Sequence, residues 1–147
     1  MSSEPQAARV LIVAHRTAAT PALVEAVRER AARSPADFTL LVPALAHGLH
    51  RVMDPEDTDA GEAEATLELA LPVLSEAAGR EVEGMIGVSE PLAAIQDAVN
   101  LHGFDEVIVS TLPTGASHWL RTDLPSRVHR KFKVPVTTVM SRVSSRV

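Results

Sequence analysis

The chain has 147 residues, a net charge of −5 and 46% hydrophobic residues, but only three Phe and one Trp. This balance is typical of one globular domain with an aliphatic core and excludes a fibrous or wholly disordered chain. The absence of cysteine excludes disulfides, thiolate nucleophiles and zinc-thiolate sites. No apolar run approaches the roughly 18 residues of a membrane span, and the polar N-terminus lacks a signal-peptide pattern. We therefore expect a cytoplasmic protein without a membrane partner.

The first half of the chain predicts two strands and one helix. The apolar, β-branched run Arg9–Ala14 predicts a strand buried on both faces. Thr20 is a suitable helix N-cap and Pro21 suits the first helical position, so a helix is expected next. Its apolar face is predicted to carry Leu23, Val24, Val27 and Ala31, and its polar face Glu25, Arg28, Glu29 and Arg30. Phe38–Val42 predicts the second strand, and 43–58 a long surface loop.

The second half predicts three more strands and three helices. The helices are expected at about Asp59–Ala78, kinked at Pro72 and capped by Gly79, from Pro91 to Gly103, and at about Leu124–Phe132. The strands are expected at Val82–Gly87, Glu106–Ser110 and Val136–Met140, with an irregular segment over Thr111–Thr122. Strands that alternate with helices predict a single doubly wound α/β domain with a parallel sheet. We place this domain at 9–141, after a disordered lead over 1–8 and before a tail over 142–147.

Charge is distributed unevenly along the chain. Between Asp54 and Glu106 there are fourteen acidic residues and one basic residue, whereas seven basic residues and one acidic residue follow from Arg121 onward. A basic end is compatible with phosphate or nucleic-acid contact. Because no aromatic side chains interleave with these charges, nucleic acid is not the expected partner. We expect instead that the two ends complement each other within one chain or across a dimer.

The order of these elements, with three short motifs, resembles the universal stress proteins over nearly the whole chain. Gly87 and Pro91 are similar to the Gly-x-Pro turn before that family's third helix, here two residues longer. Phe104–Ser110 is similar to its Asp-x-Ile-Val-x-Gly strand, and the segment from Arg127 to Val136 to its closing helix and strand. The resemblance implies a five-stranded parallel sheet, homodimerisation and, in many members, an ATP site.

The ATP loop of that family is not matched here. The resemblance implies a Gly-x2-Gly-x9-Gly-Ser/Thr loop after the fourth strand and an Asp after the first strand. The corresponding loop, 110–123, contains one glycine, Gly115, and ends in Thr122-Asp123 where the family has Gly-Ser. His15 stands at the position of the expected Asp. We therefore expect no cofactor, with ATP as the alternative.

The start of the last helix is the candidate anion site. Free backbone N–H groups and the positive end of a helix dipole attract phosphate there. Asp123 is the expected N-cap, so its carboxylate is predicted to accept those N–H groups and to repel a triphosphate. Several donors remain nearby for a smaller anion or an altered nucleotide pose. The predicted vestigial cleft comprises His15, Val42, Thr114, Gly115, Ser117, Arg121, Thr122 and Asp123.

Trp119 is unusual in a chain so poor in aromatics. With its neighbours His118 and Arg121 it could form a ligand or partner surface. Alternatively, Trp119 and Leu120 fill the vacated nucleotide cleft or pack against the sheet edge. We favour this second hypothesis.

Metal binding and catalysis have little support in the sequence. His15, His47 and His50 are candidate metal ligands, but the loop that holds the last two has no predicted structure to bring them together. No Gly-x-Ser-x-Gly nucleophile motif is present, since the segment Gly115-Ala-Ser117 does not match it. We therefore expect neither a metal site nor an enzyme.

The last strand is expected at the edge of the sheet if the resemblance holds. An exposed apolar edge can pair with a two-fold copy of itself. We therefore expect a homodimer through Val136, Thr138 and Met140; the alternative is that the tail Ser141–Val147 covers this edge.

Two functions follow from these patterns. The favoured one is a dimeric, non-catalytic stress or regulatory binding module that does not use ATP and contacts an unknown protein or small-molecule ligand. The alternative is a nucleotide-binding stress protein with slow ATPase activity.

Overall fold

The computed structural model describes residues 7–15, 17–44, 59–112 and 118–141. The strands in these ranges are β1 (Ala8–Val13), β2 (Ala36–Pro43), β3 (Glu83–Gly87), β4 (Glu106–Thr111) and β5 (Val136–Met140). The helices are α1 (Pro21–Arg33), α2 (Asp59–Ala78), α3 (Pro91–His102), α4 (His118–Arg121) and α5 (Leu124–Phe132). The predicted strands and long helices are confirmed. The short α4 was not predicted, because the segment before α5 was expected to be irregular throughout.

The five strands form one parallel sheet in the order β3-β2-β1-β4-β5. β2 and β3 are added in turn on one side of β1, and β4 and β5 are then added on its other side. This reversal makes the carboxyl ends of β1 and β4 a topological switch point, where open α/β sheets usually bind ligands. The predicted doubly wound α/β fold is confirmed, and β5 lies at a sheet edge as expected.

Helices cover both faces of the sheet, which explains why its central strands are continuous apolar runs. One core cluster packs alternate β1 residues against α1 and α2, and includes Ile12, Phe38, Leu23 and Leu74. The other packs the intervening residues against α3 and α5, and includes Leu11, Val13, Ile95 and Val128. Each of these side chains is at most 2% exposed.

Three helix ends follow the predicted capping residues. The N–H of Leu23 donates to the Thr20 hydroxyl at 3.4 Å, at the start of α1. Gly79 and Gly103 end α2 and α3 with φ of 76° and 74°, a left-handed conformation that glycine adopts without steric cost. Pro72 lies inside α2 on its exposed side. Because proline has no N–H, one carbonyl in the preceding turn lacks its usual helical partner, and water can hydrogen-bond that carbonyl. No helix in the described ranges is both long enough and apolar enough to cross a bilayer.

Arg30 departs from the prediction for the polar face of α1. Its side chain is only 7% exposed, and it donates two hydrogen bonds to the Glu106 carboxylate, from Nε at 2.8 Å and from Nη2 at 2.7 Å. Its Nη1 also donates to the Ser34 carbonyl and hydroxyl. The hydrogen bonds between Arg30 and Glu106 lower the pKa of Glu106 and raise the pKa of Arg30. The pair therefore joins the end of α1 to the start of β4.

Candidate ligand-binding cleft

A cleft of about 430 Å³ opens at the carboxyl edge of the sheet. Its lining residues come from the segments that follow β1, β2 and β3 and from the α4–α5 region. They are His15, Pro43, Ala44, Ser89, Glu90, Pro91, Trp119, Thr122, Leu124 and Arg127. Parallel strands deliver their following loops to one edge, so these distant parts of the chain meet there.

Trp119 forms part of the wall of this cleft. Its half-buried side chain packs against the core cluster beneath α3 and α5. The same residue lines the cleft, which has a volume of about 430 Å³ beside it. Trp119 therefore does not fill the cleft.

Asp123 does not cap α5. It occupies the N-cap position, but its backbone is left-handed (φ 58°, ψ 43°) and its side chain makes no capping hydrogen bond. N-cap side chains reach the first-turn N–H groups from an extended backbone, which is not the conformation here. The Asp123 N–H instead donates to the Leu120 carbonyl at 3.1 Å, which closes the tight turn between α4 and α5. The prediction that this carboxylate occupies the N–H groups of α5 is therefore wrong.

Glu90 caps a different helix at the same cleft. Its carboxylate accepts hydrogen bonds from the backbone N–H groups of Leu92 at 3.2 Å and Ala93 at 2.9 Å. This negative charge is stabilised by the positive end of the α3 dipole. A side-chain carboxylate thus caps α3, whereas none caps α5.

Arg127 lines the cleft from the first turns of α5 and is half-buried. Neither Arg127 nor Glu90 was among the predicted site residues. The signal for both was their position after a predicted strand or irregular loop, at the edge where ligands bind. The residues that line the cleft thus include one glutamate, one arginine and the tryptophan.

Only some of the residues predicted for the vestigial site line the cleft. His15 and Thr122 do so. Val42 is instead fully buried in the cluster under α1 and α2, and the two residues after it, Pro43 and Ala44, line the cleft. Thr114, Gly115 and Ser117 lie outside the described residues. Only the backbone of Arg121 is described, within α4.

Candidate metal ligands do not converge in the described part of the chain. His47 and His50 lie outside it, and among the described residues no three His, Asp or Glu side chains are placed to hold an ion.

Buried hydroxyl groups lie behind the segment that follows β1. The hydroxyls of Thr17 and Ser110 are 2.6 Å apart, and the Thr20 hydroxyl lies 2.9 Å from that of Ser141. The Ser141 N–H donates to the Thr111 carbonyl at 2.8 Å. All five residues are at most 8% exposed. These contacts tie Thr17 and Thr20, which precede α1, to the ends of β4 and β5.

No family model and no curated protein sequence matches this chain, but solved structures do. UspA from Lactobacillus plantarum is similar with a TM-score of 0.67 and 19% identity, over 92% of this chain and 99% of that one. A universal stress protein family protein from Arabidopsis thaliana with AMP bound has a TM-score of 0.63 and 16% identity, over 92% of each chain. The universal stress protein from Archaeoglobus fulgidus in complex with dAMP has a TM-score of 0.58 and 20% identity, over 91% of this chain and 98% of that one. The chain therefore has the universal stress protein fold.

Proposed function

We propose that this chain is a non-catalytic binding module with the universal stress protein fold that binds a nucleoside monophosphate and does not use ATP. The observation that carries the proposal is the open cleft of about 430 Å³ with Trp119 in its wall and Arg127 in its lining. AMP and dAMP are the ligands named for two of the similar structures.

The lining suits one base and one phosphate. An indole face stacks on any nucleobase, and such stacking contributes about 1–3 kcal/mol per base. A guanidinium forms strong, charge-assisted hydrogen bonds with a single phosphate group. Additional phosphates would add negative charge near the carboxylate of Glu90 in the lining or that of Asp123 in the turn before α5, and like charges repel. A monophosphate therefore fits these charges better than a triphosphate.

Trp119 is the single tryptophan of the chain, so its fluorescence reports on the cleft directly. We expect AMP to change this fluorescence with a Kd on the order of 10–100 μM, and ATP with magnesium to bind at least about tenfold more weakly. Arg127→Gln should weaken AMP binding about tenfold, because it removes the charge that pairs with the phosphate.

Arg130→Gln is the matched control for this titration. Arg130 lies on the same helix as Arg127 but is exposed and does not line the cleft. Its replacement should leave AMP affinity unchanged. Equal losses in the two variants would indicate a general charge effect, and an absence of AMP binding by calorimetry would refute the proposal.

The alternative function, an ATP-binding protein with slow ATPase activity, is favoured by one observation. The first-turn N–H groups of α5 are not capped by Asp123 and so could meet a phosphate. The same titration separates the two functions, since tighter binding of ATP than of AMP would support the alternative.

We also propose that the module is a homodimer paired through β5. Among the described strands β5 pairs only with β4, so its other edge is not covered by this sheet. Val136, Thr138 and Met140 alternate along the strand and so share one face, and Met140 is 52% exposed. Pairing with a two-fold copy would satisfy the outer backbone groups and bury this face.

Thr138→Lys should convert the dimer to a monomer, because it would bring two lysines close together at the shared edge. Sedimentation at about 50 μM is the measurement; this concentration lies well above the Kd expected for a stable dimer. Glu83→Lys, on the opposite edge strand β3, is the control and should leave the dimer intact. A monomeric wild-type protein would rule out this mode of assembly.

A further inference from the structure

Helix α2 is apolar on two faces. Its inner face is buried in the core and includes Ala63, Ala70 and Leu74. On its outer side Leu69 is 73% exposed and Val73 is 39% exposed, one turn apart. Ala65 and Pro72 are exposed beside them, and we call these four residues the α2 face. Because apolar side chains grouped on a surface and bordered by charged residues often mark a contact site, the α2 face has the character of a contact surface.

A groove of about 270 Å³ adjoins the α2 face. It lies between α2 and the segment that joins β1 to α1, and Leu69 lines it. Its other lining residues are His15, Ala18, Ala19, Glu62, Thr66 and Ala70. A groove beside an apolar stripe can receive an anchoring side chain from a docked helix, as in helix-in-groove recognition.

The charged residues of α2 all have one sign. Four exposed glutamates lie on α2, and the helix contains no lysine or arginine. The four are Glu62, Glu64, Glu68 and Glu76. Pairing of this face with the same face of a second copy would oppose these carboxylates to one another, which costs free energy. The complementary surface is therefore basic.

We propose that the α2 face binds an amphipathic helix of another protein whose apolar anchors are flanked by lysine or arginine. One anchor enters the groove beside Leu69, and the flanking cations pair with the glutamates of α2. None of the four residues of the α2 face lines the cleft proposed for AMP or lies on β5, although His15 lines both the groove and that cleft. The proposal therefore does not depend on AMP binding or on pairing through β5.

The probe for this surface is a fluorescently labelled, 18-residue amphipathic helix made of leucine and lysine. We expect it to bind with a fluorescence anisotropy change that weakens as salt is added. A leucine–glutamate peptide of the same pattern should bind at least about tenfold more weakly. The double variant Leu69→Ser, Val73→Ser should lower affinity for the leucine–lysine peptide about tenfold or more, since it removes the apolar anchors.

Leu101→Ser is the matched control, because Leu101 is 71% exposed but lies on α3, away from the α2 face. This variant should bind the peptide as the wild type does. Equal binding by the wild type and the Leu69→Ser, Val73→Ser variant would overturn the proposal.

Two further outcomes would also overturn it, by showing a different occupant of the α2 face. The chain has no cysteine, so Leu69→Cys introduces a single thiol. The rate at which a thiol reagent labels it measures whether the α2 face is accessible to solvent. Slow labelling in the monomer would show that another segment of this chain lies on the face. Self-association of the wild type that the Leu69→Ser, Val73→Ser variant abolishes would show that a second copy does.

Discussion

Replacing Arg30 by Ala is expected to lower the free energy of unfolding by about 3 kcal/mol, as is typical when one partner of a buried ion pair is removed. The guanidinium is 7% exposed and its partner Glu106 27% exposed. The variant leaves the Glu106 carboxylate without its two charged hydrogen bonds and also removes those to Ser34. Urea unfolding at pH 7 measures the effect.

Arg28→Ala is the control for this change. Arg28 also pairs with a glutamate, Glu25, but both side chains are 55% exposed. Exposed pairs contribute roughly 0–1 kcal/mol, so this variant should remain close to the wild type. If both variants lowered the free energy of unfolding by a similar amount, burial of the pair between Arg30 and Glu106 would not explain the stabilisation.

The Arg30 effect should also depend on pH. Arg30 lowers the pKa of Glu106 in the folded state, so the unfolded state binds more protons as the solution is acidified. The stabilisation is complete above the unfolded glutamate pKa of about 4.3 and is lost as pH falls through the folded value. The stability difference between wild type and Arg30→Ala should therefore be constant from about pH 6 to 8 and shrink below about pH 4.

Gly87→Ala is expected to destabilise the protein by about 2 kcal/mol, the usual size of an overpacking penalty. A Cβ at this position would lie 2.6 Å from the Cβ of Ala94 and 3.0 Å from Cδ1 of Leu41. Ala94 belongs to α3 and is fully buried, so it has no rotamer that relieves the contact and the helix itself must shift. Thermal unfolding should show a Tm lower by about 6 °C.

Gly84→Ala separates this clash from a general effect of losing a strand glycine. Its Cβ would lie 2.9 Å from Cδ2 of Leu67 and from Cδ1 of Leu71, which are the flexible ends of side chains on α2. These ends can rotate away, and alanine costs less conformational entropy than glycine in a strand. We expect a change of less than about 1 kcal/mol, and a Gly84→Ala loss as large as that of Gly87→Ala would contradict this explanation.

The elements of the fold could be predicted because their signals are local. Thr20 and Pro21 mark the start of α1, and Gly79 and Gly103 mark the ends of α2 and α3. The bounds of α2, α5 and β5 agree with the predicted ones. A capping side chain or a left-handed glycine acts within a few residues of itself, so neighbouring sequence is sufficient to locate it.

The face of a buried strand could not be predicted. Val42 was expected at the cleft but lies in the core under α1 and α2. In β2 nearly every side chain near the carboxyl end is buried. Because both faces are apolar, the alternation that would distinguish one face from the other is absent from the sequence.

The sequence by itself determined the α/β class and the caps at Thr20, Gly79 and Gly103 through local chemistry and element order. The edge position of the last strand was expected from the family resemblance. Only the tertiary structure decided that Arg30 is buried against Glu106, 76 residues further along, and that Glu90 caps a helix at the cleft while Asp123 does not. It also brought Trp119 and Arg127 to the segments that follow β1 and β2. The physical reason is that these features depend on backbone conformation and on contacts across the sheet, which residue type and spacing along the chain do not specify.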